Sequence, residues 1–418
     1  MAKAQPTKIK KTISRLIQKE IKRQEEGLVM IPSENYTSPD VLAAMGSPLS
    51  NKYSEGYPQK RYYTGNQYID QIEEIAQQAA LHMFGLDGNK WHANVQPHSG
   101  SSANLAVYLG LLKPGDKILG LDLSQGGHLS HGHPVNFSGK LFKFVHYGVE
   151  KKTEKLDYKK IEQTALREKP KMIVCGATAY PRTIDFKKFS LIAKKTKALL
   201  VADVAHIVGL IIAGVHPSPF PYADVVTSTT HKTLAGPRSA FIISKIGLAK
   251  DIDRAIFPGL QGGPLENMVA AKAICFAQAQ TPNFRSIQKQ TIKNSQVLAQ
   301  TLIGQGLKLV TGGSDNHLML INCLNLGISG KEAANILAEA GIYTNFNMIP
   351  FDPATPFNPS GLRLGTPALS TRGMKEKEMK LIGLWIAEIL KTPQDTKKRQ
   401  RIAKEVVRLT KKFPFYKK

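Results

Sequence analysis

LLVADVAH, residues 199–206, is the segment that decides the fold. Four apolar residues followed by Asp203 are typical of a buried strand that ends in a carboxylate. Amphipathic segments at 158–167 and 190–195 predict helices before this strand. Because strands that alternate with helices form a parallel sheet covered on both faces, the sequence predicts an α/β fold. The other predicted strands span 117–121, 141–145, 172–175, 225–227 and 240–244.

Polar side chains follow two of these strands at their carboxyl ends, where open α/β sheets bind ligands. Asp203 ends the first strand, and His206 lies three residues beyond it. Lys232, in STTHKTLAGPR, follows the strand at 225–227 among Ser and Thr rather than acids. Desolvation lowers the pKa of a buried lysine, which makes Lys232 a candidate Schiff-base nucleophile. Upstream, HSGSSAN (98–104) opens a predicted helix whose backbone N–H groups would hold a phosphate.

A phosphate cradle, a strand-end Asp and a strand-end Lys together indicate pyridoxal 5'-phosphate. This cofactor is an aldehyde that binds through its phosphate, pairs its ring nitrogen with an acid and bonds its reactive carbon to a lysine. Each feature alone has a plainer explanation: Asp203 as a cap or turn residue, Lys232 as a solvated side chain, and the Ser/Gly run as an ordinary loop. The combination in this order favours the cofactor.

The composition is that of a folded protein of 418 residues, with 57 Lys+Arg, 32 Asp+Glu and a formal charge of +25. The most apolar stretch, 207–215, has about half of the roughly 20 residues that a membrane span requires. The three cysteines, Cys175, Cys275 and Cys323, lack paired spacing, which excludes a disulfide scaffold and a CxxC zinc site. We therefore expect a soluble, cytoplasmic protein with buried, reduced thiols.

Three units are predicted along the chain. Residues 1–30 form an N-terminal helical arm, because apolar residues recur there at three- and four-residue steps. Residues 31–282 form a large cofactor-binding domain. The pattern changes at Thr281-Pro282, and residues 283–418 form a smaller C-terminal domain.

Two stretches of the large domain and one of the small domain have a clear local pattern. The polar, glycine-rich segment 32–65 is expected to be a loop with little regular structure, and loops of this length usually serve function. Residues 69–84 and 285–305 have the apolar period of helices.

Several motifs are similar to those of the serine hydroxymethyltransferase family. The resemblance extends from SENYTSP (33–39) to GTPA (365–368), which is nearly the whole chain. The most specific motifs are NKYSEGYPQKRYY (51–63), NVQPHSGSSAN (94–104), GGHLSHG (126–132), STTHKTLAGPR (228–238), FPGLQGGP (257–264) and DNHL (315–318).

The resemblance implies a fold-type-I pyridoxal-phosphate transferase. Its large domain would have a mostly parallel seven-stranded sheet covered by helices, and its smaller C-terminal domain would be α+β. The implied reaction, in one-carbon metabolism, is the reversible interconversion of L-serine and glycine with tetrahydrofolate as the one-carbon carrier. The implied assembly is a homodimer whose subunits share their active sites.

The resemblance also implies roles for individual residues. Lys232 would form the Schiff base with the cofactor, and Asp203 would keep the pyridine nitrogen protonated. His128 would stack on the ring. Glu55, near the substrate hydroxyl with Tyr63, would transfer protons. The phosphate would be held by Ser99, Gly100, Ser101 and His231, joined by Tyr53 and Gly263 from the partner subunit.

Two further groups of residues would bind the substrates. Arg363 would pair bidentately with the substrate carboxylate, assisted by Ser33 and His206. The resemblance also implies catalytic and cofactor-binding roles for His206. The sequence near Arg363 contains no anionic partner for a buried guanidinium, and an incoming carboxylate would meet that need. The residues that match the family's folate contacts are Leu123, Gly127, His128, Leu129, Asn347, Thr355, Pro356 and Phe357.

Three departures from the family pattern bear on rate and substrate preference rather than on the reaction class. Thr178 stands where the family usually has a serine that hydrogen-bonds the ring hydroxyl, and it adds a methyl group. Ser239-Ala240 replace the usual Gly-Gly after Pro237-Arg238. Asn267 stands three residues after GGP (262–264), at a position where the family usually has a histidine.

Two other interpretations concern the chemistry of the site. His128, His131 and His133 have a spacing that can share a metal ion, but no carboxylate or cysteine completes a site in that loop, so no metal is predicted. A folate-independent aldolase that cleaves 3-hydroxy amino acids such as threonine is the alternative within the same chemistry. Glu55, Tyr63 and Asn347 favour the transferase over this aldolase.

A nucleic-acid-binding protein is the alternative from another class, suggested by the net charge and by the basic run at 396–418. We favour a solvated helix face for this run, with its apolar residues turned toward the protein. The expected partners are therefore a second subunit and small molecules, without a membrane or a nucleic acid. The apolar residues of the run are Ile402, Val406, Val407 and Leu409.

Overall fold

A computed structural model describes residues 6–416, so the first residues of the predicted arm and the last two of the C-terminal unit lie outside the described range. The helices are α1 (Pro6–Glu26), α2 (Pro39–Met45), α3 (Gln67–His82), α4 (Gly100–Leu111), α5 (Phe137–Leu141), α6 (Tyr158–Glu168), α7 (Phe186–Thr196), α8 (Val208–Ile212), α9 (Ala249–Arg254), α10 (Glu266–Ala279), α11 (Pro282–Gly304), α12 (Gly330–Glu339), α13 (Pro367–Thr371), α14 (Glu376–Lys391) and α15 (Thr396–Thr410). The strands are β1 (Leu28–Val29), β2 (Gly56–Tyr57), β3 (Lys60–Arg61), β4 (Trp91–Asn94), β5 (Lys117–Leu121), β6 (Lys143–Tyr147), β7 (Met172–Cys175), β8 (Leu199–Asp203), β9 (Val225–Thr229), β10 (Ala240–Lys245), β11 (Leu318–Asn322), β12 (Ile342–Tyr343), β13 (Asn345–Asn347) and β14 (Gly361–Gly365).

A seven-stranded sheet in the order β4-β10-β9-β8-β7-β5-β6 forms the centre of the molecule. Strands β6, β5, β7, β8 and β9 pair in parallel, and β10 is antiparallel to both of its neighbours. The predicted mostly parallel seven-stranded α/β sheet is therefore confirmed. The carboxyl ends of β8 and β9 are adjacent, which places Asp203 beside the segment that leads to Lys232.

The hydrophobic core lies on both faces of this sheet, as the unbroken apolar strands predict. Strand β7 illustrates the alternation: Met172 and Val174 pack in the cluster beneath α4 and α9, whereas Ile173 and Cys175 pack in the larger cluster on the opposite face. Successive side chains of a strand point to opposite faces, so a strand buried on both sides must be apolar at every position. This arrangement leaves only the strand ends for polar function.

A second, smaller group of elements surrounds the three-stranded antiparallel sheet β11-β14-β13. Its apolar cluster combines residues of α11, α12, α14 and α15 with Leu28 and Met30 from the start of the chain. Strand β1 reaches this group by pairing in parallel with β12. In α15, Ile402, Val406 and Leu409 are buried in the cluster and Val407 is half-buried. The basic residues Lys397, Arg401, Lys404 and Arg408 are exposed on the outer side, whereas Arg399 is buried and pairs with Glu339.

The structure differs from the sequence prediction in three places. The supposed loop 32–65 contains helix α2, whose cap Ser38 accepts a hydrogen bond from the Val41 N–H, and the hairpin β2-β3. Strand β4 was not predicted, because its sequence WHAN lacks an apolar run. Strand β6 begins at Lys143 rather than at residue 141, because α5 extends to Leu141. None of the helices in residues 6–416 is apolar over a length that could cross a membrane.

Arg372 connects the end of α1 to the end of α15. Its guanidinium donates to the carbonyls of Gly27 at 2.8 Å and Glu25 at 2.8 Å, and also to those of Phe413 at 2.7 Å and Thr410 at 3.1 Å. The side chain is buried, and its guanidinium lies beside the stacked rings of Tyr36 and Phe415, 5.9 and 5.8 Å from their centroids. A planar fork with five donors suits this set of carbonyls, which a lysine could not reach together.

Replacing Arg372 by Met should lower the free energy of unfolding by about 2–4 kcal/mol, because several buried carbonyls lose a charged donor. Urea unfolding, followed by circular dichroism, measures the change. Arg401→Met is the matched control: Arg401 is half-exposed and pairs with Glu388 and Glu405 on the surface, so it should cost less than about 1 kcal/mol. Equal urea midpoints for the two variants would show that Arg372 does not stabilise the junction.

Candidate active site

The carboxyl edge of the central sheet surrounds a cavity of about 280 Å³. Asp203 enters it from the end of β8, and Lys232 enters it three residues after the end of β9. The N-terminus of α4 closes a third side. The predicted site residues that line this cavity are Ser33, Ser99, Gly100, Ser101, His128, Thr178, Asp203, His206, His231 and Lys232.

Asp203 is held as a carboxylate by donors that other elements supply. Its Oδ2 accepts from Asn104 Nδ2 at 2.9 Å and from His131 Nε2 at 3.2 Å, and its Oδ1 accepts from the Ala205 N–H at 3.1 Å. Burial alone would raise the pKa of Asp203, but the hydrogen bonds from His131 and Asn104 hold it well below its usual range. The group therefore remains an anion that can pair with a cationic ring N–H.

His131 and Asn104 were not assigned to the site from the sequence. The His131 Nδ1 accepts a hydrogen bond from the His128 N–H at 3.3 Å, so its proton lies on Nε2, toward Asp203. Asn104 is oriented by Thr227, whose hydroxyl donates to Asn104 Oδ1 at 2.7 Å. The spacing of His128 and His131 was the available signal, but it suggested a metal rather than an aspartate partner.

Lys232 is buried, and its side-chain amine is less basic than that of a solvated lysine. Burial lowers the pKa of Lys232 to about 8, in spite of the nearby Asp203 carboxylate. Its Nζ makes no hydrogen bond to any part of the chain that the structure describes. Its backbone is fixed, because Asn35 Nδ2 donates to the Lys232 carbonyl at 3.0 Å. The turn that follows uses Ala235 with φ of +58°.

The start of α4 is shaped to receive an anion. Ser99 caps the helix and accepts from the Ser102 N–H, which leaves the N–H groups of Gly100 and Ser101 without an acceptor within residues 6–416. A Cβ on Gly100 would lie 2.7 Å from Thr229 Cγ2, so a larger residue would not fit here. His231 adds a buried Nδ1 that has no partner in the described chain. These free donors, together with Asp203 and Lys232, match the phosphate, ring nitrogen and aldehyde of pyridoxal 5'-phosphate.

His128 lies beside this cavity as a neutral ring. Its Nδ1 accepts from the Ser130 N–H at 3.2 Å and lies 2.7 Å from the Ser130 hydroxyl. Burial lowers the pKa of His128 to about 4. A neutral imidazole with a fixed orientation can stack on a flat ligand without adding charge.

Arg363 in β14 is buried without an acidic partner among residues 6–416. Its Nη1 donates to the Thr178 carbonyl at 2.8 Å, and its Nε donates to Asn345 Oδ1 at 3.1 Å. Burial lowers the pKa of Arg363 to about 10, so the side chain is still a cation at neutral pH. The two neutral acceptors orient the guanidinium and leave its charge available to an anionic ligand. Asn345 is a contact that the sequence did not indicate.

Glu55, Tyr53, Tyr63 and Gly263 lie together but do not line the cavity. Tyr53 OH is 3.4 Å from Glu55 Oε1, and the rings of Tyr53 and Tyr63 are 5.1 Å apart. A Cβ on Gly263 would be 3.5 Å from the Tyr53 ring. The predicted site residues therefore form two separate groups within one chain: the cavity group and this Tyr53–Gly263 group.

Arg61 holds the loop that carries Glu55. It donates to the carbonyls of Ser54 and Gly56, both at 2.9 Å, and forms ion pairs with Asp70 and Glu73. The Ser54 hydroxyl also donates to the buried Glu266. The loop is thus fixed by α3 and α10 rather than by its own secondary structure.

Of the residues that match folate contacts, His128 lines the cavity, and the others lie on three segments: after β5, at the end of β13 and before β14. Leu123, Gly127 and Leu129 follow β5 at the carboxyl edge of the sheet, and Leu129 is partly exposed. Asn347 ends β13, and the segment 355–357 leads toward β14. Phe357 is 86% exposed.

The departures from the family motifs are accommodated locally. The buried Ser239 hydroxyl donates to the Pro97 carbonyl at 3.1 Å, and the adjacent Ala240 is the first residue of β10. Asn267 donates to the Met45 carbonyl at 2.7 Å. Thr178 keeps a backbone contact to Arg363. No group of three His, Cys, Asp or Glu side chains suited to a metal ion occurs in the described range.

Comparison with known proteins identifies the family. The family model described as serine hydroxymethyltransferase matches residues 7–386. A protein of Koribacter versatilis named serine hydroxymethyltransferase is 52% identical over 404 residues, which cover 97% of this chain and 94% of the relative. A protein of Rippkaea orientalis with the same name is 53% identical over 405 residues, with the same coverage of both chains. The resemblance seen in the motifs is thereby confirmed, and the chain belongs to the serine hydroxymethyltransferase family.

Proposed function

We propose that this protein catalyses the reversible interconversion of L-serine and glycine, with tetrahydrofolate as the one-carbon carrier and pyridoxal 5'-phosphate as cofactor. The observation that carries the proposal is the convergence of Asp203, Lys232 and the start of α4 on one cavity, beside an Arg363 that has no acidic partner in residues 6–416. These groups match the three attachment points of the cofactor and the carboxylate of an amino acid.

The chain's own residues would hold the cofactor in a fixed orientation. Lys232 would hold its aldehyde carbon, and the N–H groups of Gly100 and Ser101 with Ser99 and His231 would hold its phosphate. Asp203 would keep the ring nitrogen protonated, because its carboxylate stays ionised. When bound, the cofactor supplies an electron sink for charge that develops at the substrate α-carbon. His128 would cover one face of the ring, and Thr178 would lie at its hydroxyl.

The substrate would be oriented by its carboxylate. Arg363 offers two-point recognition from a guanidinium that Asn345 and the Thr178 carbonyl already orient. Ser33 and His206 would supply further donors. Glu55, with Tyr63 beside it, would move the proton at the substrate hydroxyl while the hydroxymethyl carbon is transferred. The folate would lie against Leu123, Gly127, His128, Leu129, Asn347, Thr355, Pro356 and Phe357.

The working form in this proposal is a homodimer with shared active sites. The Tyr53–Gly263 group lies apart from the cavity of its own chain, so a partner subunit would bring its Tyr53, Glu55, Tyr63 and Gly263 to the cavity. Helix α1 supports an assembly of this kind. Four apolar residues along it are about half exposed, as expected for a surface that a second chain covers: Ile9, Ile13, Leu16 and Ile17.

The proposal includes the division of the chain into domains and its place in the cell. The chain would divide into an arm (1–30), a cofactor-binding domain (31–282) and a C-terminal domain (283–418). The start of α11 at Pro282, capped by Thr281, supports the second boundary. The protein would act in the cytoplasm, where its three buried, free cysteines would remain reduced.

Dependence on folate tests the reaction class. Conversion of serine to glycine by the purified holoenzyme should require tetrahydrofolate, because Glu55 and the folate residues serve the transfer of the hydroxymethyl carbon. Chromatographic measurement of glycine formation, with and without tetrahydrofolate, gives the answer. Cleavage of allo-threonine serves as the control for a working cofactor. Equal rates of serine conversion with and without tetrahydrofolate would show that the protein is an aldolase rather than a transferase.

Mixing two inactive variants tests the shared active site. Lys232→Ala should abolish activity, and Glu55→Gln should lower kcat about 10²- to 10⁴-fold. If Glu55 serves the partner's cavity, each mixed dimer contains one intact site. Refolding equal amounts together should then restore roughly a quarter of the wild-type activity.

The matched control for this mixture is Lys232→Ala with Arg363→Ala. Lys232 lines the cavity and Arg363 contacts its wall at the Thr178 carbonyl of the same chain, so every site in a mixed dimer lacks one of them and activity should not return. Recovery in neither mixture would mean that Glu55 acts within its own subunit.

The pH dependence of cofactor attachment tests the state of Lys232. Because the uncharged amine attacks the aldehyde and burial lowers the pKa of Lys232 to about 8, the rate should rise with pH with a midpoint near pH 8. Stopped-flow absorbance after mixing apoprotein with pyridoxal phosphate measures this rate. A midpoint near 10.4, the value of a solvated lysine, would contradict the burial of the amine.

A further inference from the structure

His206 and His317 form a buried pair behind the cavity. His206 Nδ1 lies 3.2 Å from His317 Nε2, and the two rings are 5.4 Å apart with planes 25° from parallel. His206 is 3% exposed and His317 is fully buried. His206 lines the cavity, and its Nε2 has no hydrogen-bond partner in the described range. His317 lies directly before β11 and does not line the cavity.

Neither ring of this pair is charged at neutral pH. Burial, followed by the positive charges of Lys232 and Arg363, lowers the pKa of His206 well below its usual range. Burial and the same two cations lower the pKa of His317 to about 3. Two neutral imidazoles that meet at 3.2 Å share one hydrogen between the facing nitrogens. One ring must therefore donate, and the other must accept.

The second nitrogen of His317 decides which ring donates. His317 Nδ1 is buried and has no partner in the described chain. If His206 donated, the proton of His317 would lie on this Nδ1 as a buried N–H without an acceptor, a state that is rare in folded proteins. If His317 donates from Nε2, its Nδ1 carries only a lone pair. The second arrangement also places the proton of His206 on Nε2, at the cavity.

We infer that His317 is a positioning residue: its Nε2–H donates to His206 Nδ1 and fixes His206 in the tautomer that offers an Nε2–H to the substrate carboxylate beside Arg363. This inference rests on the proposed function for the identity of the anion. It assigns a role to the histidine of the DNHL motif. Without His317, a neutral His206 would also populate the tautomer that presents a lone pair to the carboxylate.

Neutron diffraction from crystals of the deuterated holoenzyme tests the tautomers directly. The expected result is a deuteron on His317 Nε2 and another on His206 Nε2. A deuteron on His206 Nδ1 would overturn the inference. This measurement does not depend on catalysis, so it can fail or succeed separately from the proposed reaction.

Ligand binding to holoenzyme variants tests the consequence. His317→Leu removes the donor and should weaken glycine binding about tenfold, whereas His317→Gln keeps an N–H at that place and should stay within about threefold of wild type. The change in the absorption spectrum of the bound cofactor on titration with glycine gives the dissociation constant. The control His82→Leu alters an exposed histidine of α3 and should have no effect.

Methylamine, an amine without a carboxylate, separates the positioning role from a general structural one. Its binding to His317→Leu should stay within about twofold of wild type. Equal weakening for glycine and methylamine, or equal losses in the Leu and Gln variants, would overturn the inference. If His317→Leu does not fold, glycine binding to His317→Gln and the deuteron positions in the neutron maps still test the positioning role of His317. A wild-type holoenzyme that binds methylamine but not glycine would instead contradict the proposed function.

Discussion

The structure depends on keeping two opposite charges buried at one edge of a sheet without letting them neutralise each other. Asp203 is the last residue of β8, and Lys232 lies three residues after the neighbouring strand β9. Both side chains line the same cavity. Asp203 does not need the lysine, because Asn104, His131 and the Ala205 N–H already satisfy its oxygens. Burial makes Lys232 a weaker base than a solvated lysine, in spite of the nearby carboxylate. A direct ion pair between the two would occupy both groups and remove them from chemistry.

The same principle recurs at the second buried cation. Arg363 is oriented by neutral acceptors, the Thr178 carbonyl and Asn345, instead of by a carboxylate. A charge held in this way costs stability until an anion arrives, and the binding of that anion recovers the cost. The contrast with Arg61 is clear, because Arg61 is paired to Asp70 and Glu73 and serves to hold a loop.

The sequence predicts most of the central sheet, because strands buried on both faces are apolar at each position and stand out from the helices between them. Asp203 and Lys232 could be found because each lies at or shortly after the end of such a strand, and the start of α4 could be found because its Ser/Gly run opens a helix. Asn104, His131, Asn345 and His317 could not, since their roles arise from contacts between distant segments. The prediction for 32–65 is wrong at α2 and at the β2-β3 hairpin because both are short and are held by contacts with α3 and α10.

The pairing of β1 with β12 has a consequence for how the chain is made. Leu28 pairs with Ile342, a partner 314 residues later, and Leu28 and Met30 complete the apolar cluster of the C-terminal elements. During synthesis, the first strand must wait until almost the whole chain has left the ribosome, whereas the central sheet can close earlier from contiguous segments. Strand β1 thus reaches its place after the central sheet, and the emerging chain carries an unpaired apolar segment through most of translation.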